Sequence, residues 1–140
     1  MLLQPIADQL IAVVKDLRKV AGAANFAAAR EDLKNPPAAY VIPLAGNAKP
    51  SGLMGLSVEQ YVAEQFGVVL AVDNKRDVRG DAVNAALEPL RNAVIQALLG
   101  FQPATDYDPV QLGGENLLDL DVTTLWWQIR FNTGYYERKV

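Results

Sequence analysis

The sequence contains no cysteine and no histidine, and its only serines are Ser51 and Ser57. The absence of cysteine excludes disulfides, thiolate zinc sites and thiol nucleophiles. The absence of histidine removes the commonest metal ligand and the only side chain whose unperturbed pKa lies near neutrality. Catalysis would have to use Asp or Tyr residues with strongly shifted pKa values. We therefore expect a protein that is not an enzyme and that holds no cofactor or metal.

The sequence also lacks an excess of positive charge and any long apolar run. Its net charge of −3 argues against a nucleic-acid binder, which normally carries surplus Lys and Arg. No apolar run reaches the roughly 18 residues that span a bilayer, and the N-terminus does not resemble a signal peptide. We expect a protein that stays in the cytoplasm where it is made, binds neither nucleic acid nor membrane, and acts through protein contacts.

What is present is the composition of a globular domain. Hydrophobic residues make up 51% of the 140 residues and charged residues 21%, so the chain can bury one core but not two. We predict a single domain over residues 1–140.

Apolar residues at spacings of three and four predict two amphipathic helices, one near the start of the chain and one that ends just before residue 100. The two apolar stripes are Ile6, Leu10, Val13 and Leu17, and then Val83, Leu87, Leu90, Val94 and Leu98. A short alanine-rich helix is predicted between them, from Asn25 as its N-cap to Leu33, before two prolines. Pro89 is expected to kink or split the last helix, and Gly100 and Pro103 to end it.

Four segments have the composition of strands. The run 38–44 is β-branched and aromatic, and Pro43 favours a place at a sheet edge or a strand end. The run 58–72 ends in continuous apolar residues, which is typical of a central strand. Leu118, Leu120 and Val122 alternate with Asp119 and Asp121, so we expect the apolar set to be buried. The fold class predicted is α+β, with a mixed, mainly antiparallel sheet of about four strands and two to three helices.

The last strand carries two consecutive tryptophans. Its core-facing residues are expected to be Leu125, Trp127, Ile129, Phe131 and Tyr135. Period-two geometry then places Trp126 on the opposite face, beside Gln128 and Arg130. Either a helix covers that face, or Trp126 is exposed and, with Arg130, has the composition of an interface anchor.

The stretch 45–57 is rich in glycine and proline and shows no periodicity, so we predict a long exposed loop that contacts a partner. It lacks the Gly-Lys-Ser/Thr of a phosphate-binding loop. The candidate interface residues are Gly46, Asn47, Lys49, Ser51, Leu53, Met54, Trp126, Gln128 and Arg130.

Two further groups of residues have plainer explanations. The carboxylates of Asp106, Asp108, Glu115, Asp119 and Asp121 do not reproduce a calcium loop, and we expect a solvated strand face. The basic and aromatic tail that includes Tyr135, Tyr136 and Arg138 is short and belongs to an acidic chain, so we interpret it as a charged strand end.

The order of these features resembles the tail terminator proteins of tailed bacteriophages. The resemblance lies in the runs Ala38–Leu44, Glu64–Val72, Leu87–Arg91 and Ala97–Pro103, in Gly113-Gly114, and in the closing Trp126-Trp127, Phe131 and Tyr135-Tyr136. It covers roughly the whole chain and consists of packing and turn residues, without a catalytic signature.

The resemblance implies a virion structural protein that assembles in the host cytoplasm. Such a subunit would form a homo-oligomeric ring, typically a hexamer, on the end of the tail tube. The ring would stop polymerisation of the tube protein and present a surface to the head or neck connector proteins. The alternatives are a neck or head–tail adaptor protein and, from a different class, a small ligand-binding α/β domain.

Overall fold

The computed structural model describes residues 2–33, 36–52, 57–73 and 81–139, although not the side chains of 81–84. The described chain folds into one five-stranded sheet with three helices. In chain order the elements are α1 (Leu3–Val13), β1 (Lys19–Ala21), α2 (Ala23–Glu31), β2 (Ala38–Ala48), β3 (Glu59–Asp73), α3 (Asp81–Leu98), β4 (Gln111–Leu120) and β5 (Thr124–Arg138).

The strands are arranged in the order β1-β2-β3-β5-β4. β1 is parallel to β2, and every other neighbouring pair is antiparallel. The predicted α+β class with a mixed, mainly antiparallel sheet is therefore confirmed, as is the central position of β3. The sequence analysis missed β1, because a three-residue strand is too short to show a period.

The main core lies between one face of the sheet and the helices α1 and α3. Leu10 of α1 and Val94 of α3 are fully buried there against Val68 of β3 and Ile129 of β5. Each large side chain buried in this layer contributes roughly 1.5–3 kcal/mol to folding. We call this side of the sheet the core face.

Two predicted helix boundaries are wrong. The first helix ends at Val13, so the spacing of three and four residues that is predicted to continue to Leu17 stops there. Val13 is 52% exposed, and Val14 is buried in the core instead. The second helix begins at Ala23, with Gly22 as its N-cap residue, which puts Asn25 inside the first turn. An N-cap assignment made from residue type alone cannot decide between neighbouring positions.

The third helix is not split by proline. α3 is continuous from Asp81 to Leu98 and includes Pro89, whose ring lies on the exposed side of the helix. The predicted stripe is buried from Leu87 onward, and Val83 lies outside the described side chains. Gly100, with a φ of +78°, ends the helical region as predicted. Within the described residues, no helix has the sustained apolar length that a membrane crossing requires.

The strands also depart from the predicted boundaries. β2 continues to Ala48 and remains paired with β3, so the loop predicted from Ala45 is wrong over those first four residues. Pro43 lies where β2 is paired on the β3 side only, which agrees with the predicted edge position.

The predicted burial of the apolar residues near the end of β4 is wrong. Leu118, Leu120 and Val122 are 40%, 50% and 86% exposed. β4 is an edge strand, and a register shift between Leu117 and Asp119 interrupts its alternation. Period-two burial requires a covered face and an unbroken register, and this end of β4 lacks both.

Candidate functional site

The second face of the sheet, opposite the core face, is covered at one end by a helix, and at that end alone among the described residues. There α2 packs over Trp126, which is 2% exposed. The ring centroid of Trp126 lies 5.9 Å from that of Phe26 and 6.5 Å from that of Tyr40. The guanidinium carbon of Arg30 lies 5.0 Å from the Trp126 ring centroid. The interpretation of Trp126 as an exposed anchor is therefore wrong, and the alternative of a covering helix is the observed one.

Beyond Trp126, the same face becomes polar. Val69 of β3, which pairs with Gln128, is still buried in the cluster that contains Trp126. Farther along this side, the β3, β4 and β5 side chains are half-buried or exposed and belong to neither hydrophobic cluster of the described chain. We call this region the open sheet face and define it by Gln65, Asn116, Gln128, Arg130 and Asn132, which the strand registers place on one side.

Hydrogen bonds between side chains order the open sheet face. The Gln65 side-chain amide donates to Asn132 Oδ1 at 3.2 Å, and that of Gln128 donates to Asn116 Oδ1 at 3.4 Å. The Arg130 guanidinium also donates to Asn116 Oδ1. Among the described residues no carboxylate forms an ion pair with Arg130, so the face presents one positive charge among neutral amides.

Two glycines of β4 make room for these side chains. A Cβ on Gly114 would lie 2.5 Å from Nη2 of Arg130, and one on Gly113 would lie 2.9 Å from Nδ2 of Asn132. Gly114 also has a φ of +140°, a conformation that favours glycine. The Gly113-Gly114 pair thus lets Arg130 and Asn132 lie close to the neighbouring strand, and it is the sequence signal that could have identified this part of the face.

The end of the β2–β3 hairpin continues this face. By register Asn47 pairs with Ala63 and lies on the same side as Gln65. The Lys49 backbone N–H donates to the Tyr61 carbonyl at 2.9 Å, and the Lys49 ammonium lies 5.8 Å from the Tyr61 ring centroid. Ser51 Oγ accepts a hydrogen bond from the Glu59 backbone N–H at 3.3 Å. The residues from Gly46 to Lys49 are all exposed.

The structure thus brings several predicted interface residues onto one side of the sheet. Asn47, Lys49, Gln128 and Arg130 share it, while Trp126 lies on the same side but under α2. Leu53 and Met54 lie outside the described residues. The sequence analysis missed Gln65, Asn116 and Asn132, because a polar strand residue carries no signal of whether a helix covers it.

Tyr61 closes the far end of the open sheet face. Its hydroxyl donates to Asp108 Oδ2 at 2.5 Å, and its ring makes an edge contact with Tyr136 at 5.2 Å between centroids. Gly134 lies beneath the Tyr61 ring, where a Cβ would overlap it. The hydrogen bond to Asp108 is the main cause that raises the pKa of Tyr61 to about 12.

The acidic residues predicted as a solvated group do not converge. Asp108 accepts from Tyr61, Asp119 pairs with Arg30 at 3.2 Å, and Asp121 accepts hydrogen bonds from the Thr123 hydroxyl and backbone, which lower its pKa. Glu115 lies on the core face and pairs with Arg91 of α3. In the part of the chain that the structure describes, no group of three or more potential ligands is placed to hold a metal ion.

Comparison with known protein families gives a match over nearly the whole chain. The family model described as phage tail terminator protein matches residues 1–139. No curated protein matches the sequence. The matched range includes every helix and strand described above, so the likeness extends over both faces of the sheet.

Proposed function

This chain belongs to the phage tail terminator protein family, and on that premise we propose that it caps the end of the tail tube as a ring of identical subunits, typically six. The ring stops polymerisation of the tube protein and offers a surface to the head or neck connector proteins. It acts by contact and steric blocking, without catalysis. The subunit is made in the host cytoplasm and becomes part of the virion.

The family match over residues 1–139 carries this proposal, and the open sheet face supports a binding role for one particular surface. Amide side chains both donate and accept hydrogen bonds, and an arginine without an ion pair can bind a carboxylate or several carbonyls. Strand residues hold these groups at fixed spacings. We assign this face, together with the adjoining hairpin end from Gly46 to Ser51, to the contact with the tail tube.

The polar character of the face fits a subunit that exists before it binds. A large apolar face would promote aggregation of free subunits, whereas amides remain hydrated until a partner replaces the water. The Arg130 charge can also attract an acidic partner and fix its orientation. The open sheet face is therefore suited to a partner with a polar, acidic contact surface.

The test is tube assembly in vitro. Purified tail tube protein is polymerised with and without this protein, and tube lengths and end densities are measured by electron microscopy. We expect the protein to shorten the tubes and to bind at one end. Arg130→Glu should raise the concentration needed for capping by about tenfold or more, because it reverses the charge on the binding face.

The control is Gln96→Glu, which introduces the same residue at an exposed position of α3 and lowers the net charge by one unit, against two units for Arg130→Glu. It should cap like the unmodified protein. Equal capping by Arg130→Glu and Gln96→Glu would show that the open sheet face does not bind the tube. A protein that ignores the tube but binds isolated connectors would instead be a neck or head–tail adaptor.

A further inference from the structure

The β4 edge of the sheet carries a row of exposed leucines. Leu112, Leu117 and Leu120 are 40%, 47% and 50% exposed, and their pairing with Phe131, Trp127 and Leu125 places all three on the core face. We call them the β4 ridge. β4 contains no Lys or Pro, the residues that commonly protect an edge strand, and its outer side has no partner among the described strands.

The opposite edge of the sheet has an apolar groove. It lies on the outer side of α1, between that helix and β1, and its apolar lining includes Leu3, Ala7, Ile11, Val20, Ala21 and Val41. Ile11 is 54% exposed although it is a large apolar residue. Since α1 packs on the core face, the α1–β1 groove and the β4 ridge lie on the same side of the sheet at its two opposite edges.

The two edges also differ in charge. The segment 14–21, which leads from α1 into β1, contains Lys15, Arg18 and Lys19 and one acid, Asp16. Within the described residues none of these three cations forms an ion pair. The segment 115–123, which holds most of the β4 ridge, contains three acids and no Lys or Arg. Glu115 and Asp119 pair with Arg91 and Arg30 within the subunit. With these two arginines counted against the three acids, the net charge at the β4 edge is −1, whereas three cations and one acid give +2 for the segment 14–21, so the two edges still have opposite charge.

We propose that the β4 ridge of one subunit docks into the α1–β1 groove of a second copy of this chain. A head-to-tail contact covers the exposed leucines and fills the groove in one step, and it places the acidic segment beside the basic one. A contact between two β4 edges would leave both grooves empty and would bring like charges together. This contact rests on the proposed function, because head-to-tail contacts of suitable rotation close into a ring.

The experiment uses the mass of the full chain in solution, measured by native mass spectrometry and light scattering across a concentration series. The ridge variant is Leu117→Glu with Leu120→Glu, and the groove variant is Ile11→Glu. We expect the unmodified chain to form a closed oligomer and each variant alone to remain a 15.2 kDa monomer. The control, Leu99→Glu, alters a leucine of similar exposure (43%) outside both surfaces and should assemble normally.

Mixing the two variants distinguishes head-to-tail docking from other contacts. The ridge variant keeps an intact groove and the groove variant keeps an intact ridge, so the mixture should form a complex of one copy of each and nothing larger. This complex also shows that both variants are folded. Assembly of either variant alone, no complex in the mixture, or an unmodified chain that is monomeric at every concentration would overturn the docking proposal.

The tube-capping assay separates this proposal from the proposed function. If the unmodified chain forms rings that do not bind tubes, the docking contact stands and the terminator function fails. If the ridge variant caps tubes as well as the unmodified chain, the function stands and the docking contact fails.

Discussion

Trp126 and Arg130 lie four residues apart on the same strand and point to the same side of the sheet, yet their surroundings are opposite. Trp126 is buried under α2 among aromatic rings. Arg130 is half-buried among amides, with no helix over it in the described chain. This difference shows that the position of a residue on a strand face does not decide whether it is buried. Burial depends on how far along the strand the covering helix extends.

The lengths of the elements explain where the cover ends. α2 has 9 residues and is therefore about 13 Å long. β5 has 15 residues and spans about 50 Å. A helix of this length covers only a fraction of the strands beneath it. The covered part can stabilise the fold, and the open part keeps its side chains available to a partner.

The largest expected effect is that of Trp126→Ala, which tests the covered half. Removal of a buried tryptophan leaves a cavity between α2 and the sheet, so the free energy of unfolding should fall by about 3–5 kcal/mol. Denaturant unfolding followed by circular dichroism measures this loss. A loss below about 1 kcal/mol would mean that α2 is not firmly held on the sheet.

A smaller loss of stability is expected from a substitution of Glu115, which lies on the core face of the sheet, opposite the amides of the open sheet face. Its carboxylate accepts two hydrogen bonds from Arg91, at 2.6 and 2.5 Å, and one from Trp127 Nε1 at 3.1 Å. The side chains of Arg91 and Glu115 are 29% and 17% exposed. Glu115→Gln should therefore lower the free energy of unfolding by about 1–2 kcal/mol at neutral pH.

The same site predicts a dependence on pH. The hydrogen bond from Arg91 is the main cause that lowers the pKa of Glu115 below its usual value. A carboxyl with a lowered folded pKa stabilises the protein above its unfolded pKa, and that stabilisation is lost as the pH falls through the folded pKa. Glu115→Gln should lose less stability than the unmodified chain under acid. Parallel pH profiles of the two proteins would contradict this account.

At the far end of the open sheet face, Tyr61 combines ring contacts with a hydrogen bond to Asp108. The pKa of Tyr61 is raised to about 12, mainly by its hydrogen bond to Asp108. The stabilisation from a raised pKa is complete below the unfolded value of about 10 and is lost as the pH rises towards the folded value. Ultraviolet titration should detect a late-ionising tyrosine that disappears in Tyr61→Phe. Asp108→Asn should shift its pKa downward, and an unchanged titration would contradict the role of Asp108.

The smallest effect is expected at Arg130. Arg130→Ala removes one hydrogen bond at a half-buried position of the open sheet face, so the free energy of unfolding should change by no more than about 0.5 kcal/mol. The measurement is the same denaturant unfolding as for Trp126→Ala. A loss comparable with that of Trp126→Ala would remove the distinction between the covered and open halves and would make Arg130 a structural residue.

The sequence analysis predicted burial correctly for helices and strands that have one face covered by other elements, because their apolar residues then recur at a regular spacing. The stripe Leu87, Leu90, Val94 and Leu98 is buried as predicted, and so are Leu125, Ile129 and Phe131 of β5. The predicted burial was wrong where apolar and polar residues alternate on a strand that no other element covers, as at Leu118 and Leu120 of the edge strand β4. The sequence analysis also failed where glycine and proline suggested a loop, because pairing with β3 keeps Ala45–Ala48 extended.

For the candidate site, the sequence placed Trp126, Gln128 and Arg130 on the same side of one strand, and the resemblance in its packing and turn residues pointed to the family that the match then showed. It could not determine which of the three is covered. That depends on where the short helix α2 lies and on which strands become neighbours. Alternation along a strand is a local property of the backbone, whereas burial depends on contacts between segments far apart in the chain, and only the tertiary structure decides those.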